Sequence, residues 1–361
     1  MKISHTGILA IALTLWCLSC EQTPKEESFQ VINISPTETS SFELESIIDS
    51  TEEIKLEETD ESLIGNITKL ERTDEFIFVF DARNQKIMQF DRSGKYIKSI
   101  GKIGEGPEEI AMPTTFTVDA EKRHIYIGGM RKIVVYDFEG NLVRYFSGFN
   151  IPTYMYVRDN ALEVFRTETQ KVEGTSGYYK IPTRYRIDTS SGNIIDSLQL
   201  TKSSIDKQMM FLVTDANYYS ETSKGLNFYL TILFPEPLVR DTLYNVAGTE
   251  LTPSLKLDFG KEALTEDDSR AISIRSIFRS DRYLLAKYFY QNKQHHFFYD
   301  LKQQKGYNIK GEINAEHYGD DPIRIYPIAH EANTFYFYQK KLEKGQIEEP
   351  NPTIYFVKLK P

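Results

Sequence analysis

Few side chains in this sequence combine the type and the spacing that a reaction centre needs. His295 and His296 are adjacent, and neighbours on a strand point to opposite faces, so the two cannot chelate one ion together. Each is expected to be an isolated, satisfied imidazole. His124, His317 and His330 share no spacing. There is no Gly-x-Ser-x-Gly elbow and no Cys-x-x-Cys pair, so nucleophilic and zinc chemistry lack their usual residues. The runs Glu266-Asp267-Asp268 and Asp320-Asp321 offer the oxygen ligands that Ca²⁺ prefers, but without the alternating pattern of a dedicated loop they read as solvated turns. The sequence therefore assigns no catalytic residue, no metal ligand and no cofactor.

The elements that would position any site follow from a repeat. Phe90-Asp91-Arg92-Ser93-Gly94 recurs as Tyr136-Asp137-Phe138-Glu139-Gly140, and more loosely from Ile187 and Asp188 to Gly192. In each copy an apolar strand ends at Asp, turns through Gly and starts another strand, as expected where one turn residue takes positive φ. The first copy contains strands at Ile64 to Leu70, Phe76 to Phe80, Ile87 to Phe90 and Tyr96 to Ile100. The second contains Thr115 to Val118, Ile125 to Ile127, Ile133 to Tyr136 and Leu142 to Phe146. Four short antiparallel strands per repeat is the unit of a β-propeller. Third-strand candidates at Thr242 to Val246, Phe297 to Tyr299 and Ile354 to Lys358 bring the expectation to an all-β, six-bladed β-propeller of four-stranded antiparallel blades. The last blade is one strand short, and Glu53 to Glu57 supplies an apolar-alternating segment with no blade of its own. Closure of the ring by that N-terminal strand would hide an edge that otherwise invites aggregation.

The start of the chain reads as an export signal over residues 1–19. Lys2 precedes an apolar run from Gly7 to Leu18, which is too short to span a bilayer as a mature helix. Leu18, Ser19 and Cys20 resemble the bacterial lipobox, in which the cysteine is acylated and becomes the new N-terminus. The resemblance implies lipidation at Cys20 and a membrane partner reached through that anchor. Residues 20–41 then form the acylated N-terminus and tether, and residues 42–361 the propeller. Removal of Lys2 with the signal takes the formal net charge from −9 to −10, which argues against nucleic acid as a partner. Cleavage also leaves Cys20 as the only cysteine and removes Trp16, the only tryptophan. Stability must come from burial with no disulfide, and a WD-type repeat is excluded.

Phe80, Asp81, Asn84, Lys86, Ile87, Phe90, Asp91 and Gly94 resemble the NHL repeat, followed in the second copy by Ile127, Lys132, Ile133, Tyr136, Asp137 and Gly140. Ile54 to Gly140, with Leu56-Glu57-Glu58-Thr59 and the run from Gly101 to Glu108, resembles the six-bladed β-propeller lipoproteins of Bacteroidetes; Asp241 to Tyr244 and Leu257 to Gly260 extend the match. The resemblance implies anchoring in the bacterial outer membrane, and Pro24-Lys25-Glu26-Glu27 is similar to the acidic signals that display such lipoproteins on the surface. It implies no reaction. Glu105-Gly106-Pro107 is similar to the metal-ligand Glu motif of gluconolactonase-like propellers, but it falls in a Gly-rich connection and reads as a tight turn.

Long segments at 101–114, 167–184, 201–210, 234–241, 260–271, 310–322 and 339–353 all belong to the connections that emerge on one propeller face. Insertions gathered on one face mark a binding face. Arg83, Arg131, Arg184 and Arg240 each fall shortly before a third strand. Together they would form a partial ring able to attract an anionic group, or each pairs with a neighbouring acid such as Asp81 or Asp241. The expected function is non-catalytic binding of a glycan, peptide or partner protein through the long-loop face. The alternative is a pore-centred hydrolase or lyase, recognisable by three or more carboxylates or imidazoles converging on inner strands.

Overall fold

The computed structural model describes residues 29–206, 217–231, 238–315, 317–319, 321–341 and 349–361. The signal segment, Cys20 and the Pro24 to Glu27 run lie outside them, as does Asp320. Almost all of the described chain is strand and turn, arranged as successive antiparallel meanders in the manner of a β-propeller.

The first sheet holds Ile67–Arg72, Phe76–Asp81, Lys86–Asp91 and Tyr96–Ile100; the second holds Thr115–Asp119, His124–Gly128, Lys132–Asp137 and Leu142–Ser147. These match the strands read from the repeat to within a residue or two, apart from the first, which starts three residues later than expected. The third sheet holds Tyr154–Arg158, Ala161–Lys171, Tyr178–Asp188 and Ile194–Gln199. Here the segment 167–184, read as a long connection, is mostly strand: Thr167 to Lys171 pairs with Tyr178 to Pro182, and Tyr178 to Lys180 pairs on its other side with a fifth strand of the sheet, Ser203–Ile205. The strand signal is weak because Thr167 to Lys171 is a polar run without apolar alternation, although Lys180, Ile181 and Pro182 on the paired strand are buried.

The fourth sheet holds Tyr219–Thr222, Gly225–Phe228, Thr242–Ala247 and Glu250–Asp258; the fifth holds Ile272–Arg279, Tyr283–Tyr290, Lys293–Asp300 and Lys305–Lys310. The sixth combines Tyr326–Pro327, Thr334–Gln339 and Thr353–Leu359 with Ile48–Lys55 from the other end of the chain. That pairing is antiparallel, with Thr51 opposite Val357 and Ile54 opposite Ile354.

The repeated Asp and Gly do the same work in three sheets. Asp91 Oδ1 accepts from the backbone N–H of Ser93 at 2.8 Å and of Lys95 at 3.0 Å. Asp137 Oδ1 accepts from Asn141 N at 2.7 Å, and Asp188 Oδ1 from Ser191 N at 2.7 Å. Hydrogen bonds from Ser93 and from Ser191 hold the Asp91 and Asp188 carboxyls below the ordinary carboxylate range. Gly94, Gly140 and Gly192 take φ of +89°, +87° and +75°, the left-handed region that glycine enters without penalty. At Gly94 a Cβ would also lie 2.2 Å from the Lys55 carbonyl oxygen, so this turn and the N-terminal strand fit only with glycine there.

Each pair of neighbouring sheets shares an apolar layer. Phe78, Ile87, Phe116 and Ile127 join the first to the second; Ile133, Val135, Leu162 and Val164 join the second to the third. Tyr156, Phe165, Tyr219 and Phe228 lie between the third and fourth, Leu243, Leu255, Ile277 and Leu284 between the fourth and fifth, and Phe298, Phe335 and Val357 between the fifth and sixth. Ile54, Leu70, Val79, Tyr336 and Phe356 join the sixth back to the first.

Residues 29–41 are not the free tether expected for them. Gln30–Asn33 adds a parallel strand to the outer edge of the fourth sheet, Gln30 opposite Leu255 and Asn33 opposite Asp258. Asn308 of the fifth sheet donates from Nδ2 to Ser35 O at 3.1 Å and Glu38 O at 2.7 Å. The cause is visible in the sequence: Ile32 and Ile34 are buried against Leu255 and Leu257, giving this short stretch an apolar face that the rest of the segment lacks.

Candidate functional site

Two regions gather polar side chains in the interior, and they differ in what those side chains are doing. The first is the centre, where the opening strands of the sheets lie side by side. Lys69 and Glu71 sit two residues apart on Ile67–Arg72, on one face of the strand, and both are buried. The Lys69 ammonium lies 2.8 Å from Glu71 Oε1 and donates to Phe116 O at 2.7 Å and Met155 O at 2.9 Å, so one side chain ties three sheets. Its Nζ also stands 4.4 Å from the Tyr154 ring centroid. Burial pushes the Lys69 pKa below the usual lysine range, against the opposing pull of the Glu71 carboxylate. Glu71 Oε2 in turn accepts from Val118 N at 2.8 Å and Thr117 Oγ1 at 3.2 Å.

The other central carboxylates are likewise engaged. Tyr156 donates to Glu221 and stacks on His330, centroids 4.5 Å apart. Tyr219 donates to Glu163, which also accepts from Arg158 Nη2 at 3.1 Å. Burial raises the Tyr154, Tyr156 and Tyr219 phenols well above the ordinary range, and the latter two donate to carboxylates. Arg72 grips Glu331 through two bonds of 2.5 and 2.6 Å, reaches Glu52 Oε2 at 2.7 Å, and lies 4.0 Å over the Phe356 ring. Among the described residues, no group of three or more His, Cys, Asp or Glu side chains is placed to hold a metal ion.

The histidines fall where alternation puts them. His295 stacks on Tyr288, centroids 5.0 Å apart, while His296 faces the other side and lies 3.0 Å from Gln294 Nε2. Burial, aided by the charge of Lys287, brings the His296 pKa down to about 3. Glu105 is exposed in the connection after the first sheet, where Gly106 N donates to Glu109 Oε2 at 3.0 Å and Lys132 Nζ to the carbonyls of Gly106 and Pro107 at 2.8 and 2.6 Å.

The second region is a cleft of about 720 Å³ between the third and fourth sheets. Asp196 to Leu200 and Arg184 line one side; Phe228 to Leu230, Leu238 to Thr242, Tyr244 and Thr249 to Thr252 line the other, so Asp196, Asp241 and Glu250 stand in the walls alongside two arginines. Two of the four arginines singled out by position, Arg184 and Arg240, meet here. Arg131 is exposed beside a separate pocket of about 180 Å³ formed with Gly104 to Pro107. Arg83 is exposed, and it meets Asp81 through its backbone N–H at 3.0 Å. Asp81 is fully buried, with its carboxylate taken by Gly65 N at 2.6 Å and Asn84 Nδ2 at 2.8 Å as well.

Sequence reasoning did not single out Lys69, Glu71, Glu163 or Tyr219. The signal was present for the first two, since charged residues at alternate positions of an otherwise apolar strand must face one buried side together.

The sheet order and the shared apolar layers define a β-propeller. The chain belongs to a family described as a domain of unknown function, DUF4934, whose profile matches residues 29–356. No curated protein matches it. Among solved structures, a protein of Bacteroides fragilis described as exported is 16% identical and aligns over 92% of this chain and 100% of its own, with a TM-score of 0.64. A member of the DUF4221 family from Bacteroides vulgatus is 12% identical over 87% of this chain and 97% of its own, TM-score 0.45. The β-propeller domain of the Trilobed protease from Pyrococcus furiosus is 11% identical over 79% and 83%, TM-score 0.38.

The Lys69–Glu71 pair gives a stability test. Lys69→Met alone leaves a buried carboxylate without its cation and is expected to cost about 3–5 kcal/mol. Adding Glu71→Gln, which removes the charge and keeps an acceptor for Val118 N, should recover part of that loss. Urea unfolding of both single variants and the double variant measures the coupling; strict additivity of the two single effects would contradict the role assigned to the pair.

Proposed function

We propose that this chain is an exported lipoprotein of the bacterial cell envelope, acylated at Cys20 and anchored in the outer membrane. Its mature part is a six-bladed β-propeller closed by Ile48–Lys55, and it binds a glycan, peptide or partner protein without catalysing a reaction. The observation that carries the binding reading is the cleft of about 720 Å³ in which Arg184 and Arg240 converge. Its lining includes Tyr229, Leu230, Leu238 to Asp241 and Leu200, residues at the edges of the long connections from which binding sites are commonly built. The size is that of a site for a small ligand or one end of a larger one.

A pore-centred hydrolase or lyase is the weaker reading, because Glu71 and Glu221 on opening strands, Glu163 on a second strand and Glu331 in a turn are each held by a cation or a phenol of the protein itself. Export is supported by the apolar run before Cys20 and by the exported description of the Bacteroides fragilis protein that shares the fold.

The binding reading is tested on a printed array of glycans and peptides with the wild type and Thr252→Trp. Thr252 is exposed on the cleft wall, so the indole obstructs the cleft without entering the core. The wild type should retain ligands that the variant binds on the order of tenfold more weakly; identical binding profiles would place recognition elsewhere.

Anchoring is tested separately by fractionation. Cys20→Ala should release the protein from membranes, since several acyl chains together give stable attachment. A Cys20→Ala form that stays membrane-bound, alongside a wild type that carries no lipid by mass, would refute lipidation.

A further inference from the structure

The outermost strand of each sheet leaves one edge unpaired, and such an edge is a template for another chain unless charge or cover protects it. Ile48–Lys55, Tyr96–Ile100, Leu142–Ser147 and Lys305–Lys310 each carry lysine, arginine or glutamate. Glu250–Asp258 is covered by Gln30–Asn33 of the same chain. Ile194–Gln199 has neither protection. Its one charge, Asp196, is bound to Arg186 of its own sheet at 2.8 Å, and Ile194, Ile195 and Leu198 are exposed. Leu200 N donates to Pro182 O at 2.9 Å, and in an antiparallel pair successive residues turn their backbone groups alternately toward and away from the neighbouring strand. The backbone groups of Leu198 and Asp196 therefore face Tyr178–Asp188. Those of Ser197 and Gln199 point outward, where no strand of the described chain pairs with them. Both residues line the cleft.

The fourth sheet shows what such an edge accepts. Gln30–Asn33 lies along it as a parallel strand, with Ile32 and Ile34 buried, Val31 exposed and no charged side chain from Phe29 to Ile34. The cleft beside Ile194–Gln199 has matching chemistry. Its charges offset one another, Arg184 and Arg240 against Asp196, Asp241 and Glu250, and Arg184 is occupied by the Thr249 carbonyl and the Tyr219 phenol. A charged ligand thus meets no field of one sign. Leu200, Leu230 and Leu251 supply apolar contact. We propose that this edge takes an extended, uncharged segment of a partner protein as an added strand, with apolar residues at alternate positions. Ser197 and Gln199 exchange main-chain hydrogen bonds with it, and its alternate side chains cover the leucines of the cleft. This selects the peptide segment among the ligands of the binding function proposed above and rests on that reading.

The test separates main-chain pairing from side-chain contact. The probe is a pool of end-blocked octapeptides in which valine, isoleucine or leucine alternates with threonine or serine. Ser197→Pro removes an outward N–H and no bond to Tyr178–Asp188, a change that edge strands tolerate, whereas Ser197→Ala keeps the N–H. The wild type and Ser197→Ala should bind peptides of the pool alike, and Ser197→Pro on the order of tenfold more weakly at an unchanged urea midpoint. For the tightest peptide, N-methylation of one alternate set of residues should abolish binding and N-methylation of the other set should leave it intact. That comparison is read on the wild type, so it decides the matter where Ser197→Pro lowers the urea midpoint. Equal effects of the two N-methylated sets, or a folded Ser197→Pro variant that binds like the wild type, would overturn strand addition by a peptide. So would a dimer in sedimentation velocity that Ser197→Pro dissolves while no peptide binds, which would make a second copy the occupant. If no peptide binds while glycans on the array still separate the wild type from Thr252→Trp, the peptide assignment is wrong and the binding function stands.

Discussion

The structure depends on one joint, the antiparallel pairing of Ile48–Lys55 with Thr353–Leu359. Every sheet is apolar on both faces and must be covered on both. For the sheets in the middle of the chain, sequence order supplies the neighbours. For the first and the last, cover exists only if the two ends of the chain meet. The joint brings Ile54, Ile354 and Phe356 onto Leu70 and Val79 of the first sheet. Arg72 then clamps it, bonded to Glu52 on the N-terminal strand and Glu331 on the sixth sheet while lying over Phe356. Asn351 does the same for the chain leaving the joint: buried, it accepts from Ile64 N at 2.9 Å and donates to the carbonyls of Glu57 and Ser62, both at 2.8 Å.

The interior then divides into two kinds of polarity. At the centre, buried charges and phenols satisfy one another, so Lys69, Glu71, Tyr156 and Glu221 tie the sheets together where the apolar layers converge. Between the third and fourth sheets the apolar layer is largely aromatic, with Tyr154, Tyr218 and Tyr219 in place of aliphatic residues. The large rings and the buried Arg184 leave room at that seam, and the cleft occupies it. A cleft at the least aliphatic of the seams is a physical consequence of residues that leucine or isoleucine would replace were packing alone optimised.

Most of the fold was legible because the signal was local. The Asp and Gly of each hairpin announce a turn that the backbone geometry requires, and the strands between them alternate or run apolar over short lengths. Counting, with one repeat a strand short, pointed to Glu53 to Glu57 as the partner of the last strand; the segment found opposite Thr353–Leu359 is Ile48–Lys55, displaced toward the N-terminus. The strand extension over 167–182 was not legible, because Thr167 to Lys171 is polar throughout, and the docking of Gln30–Asn33 showed only as the apolar Ile32 and Ile34 in an otherwise polar segment. The site was legible only in part. Position relative to a third strand placed four arginines in equivalent locations, yet strand pairing alone does not say which way a side chain leans; Arg184 is buried in a seam while Arg83 stands in solvent. The leucines beside Arg184 and Arg240, Leu198, Leu200, Leu230, Leu238 and Leu251, come from separate segments of the chain, and no short-range pattern links them.

Native-state hydrogen exchange, resolved by peptide, tests the joint most directly. If the two ends of the chain hold the ring together, the paired amides of Ile48–Lys55 and Thr353–Leu359 exchange only through global unfolding, with the same opening free energy as Ile67–Arg72 of the first sheet. Exchange of either terminal strand through a local opening more than about 2 kcal/mol easier than that of the first sheet would show that the domain holds without the joint, and would contradict the account.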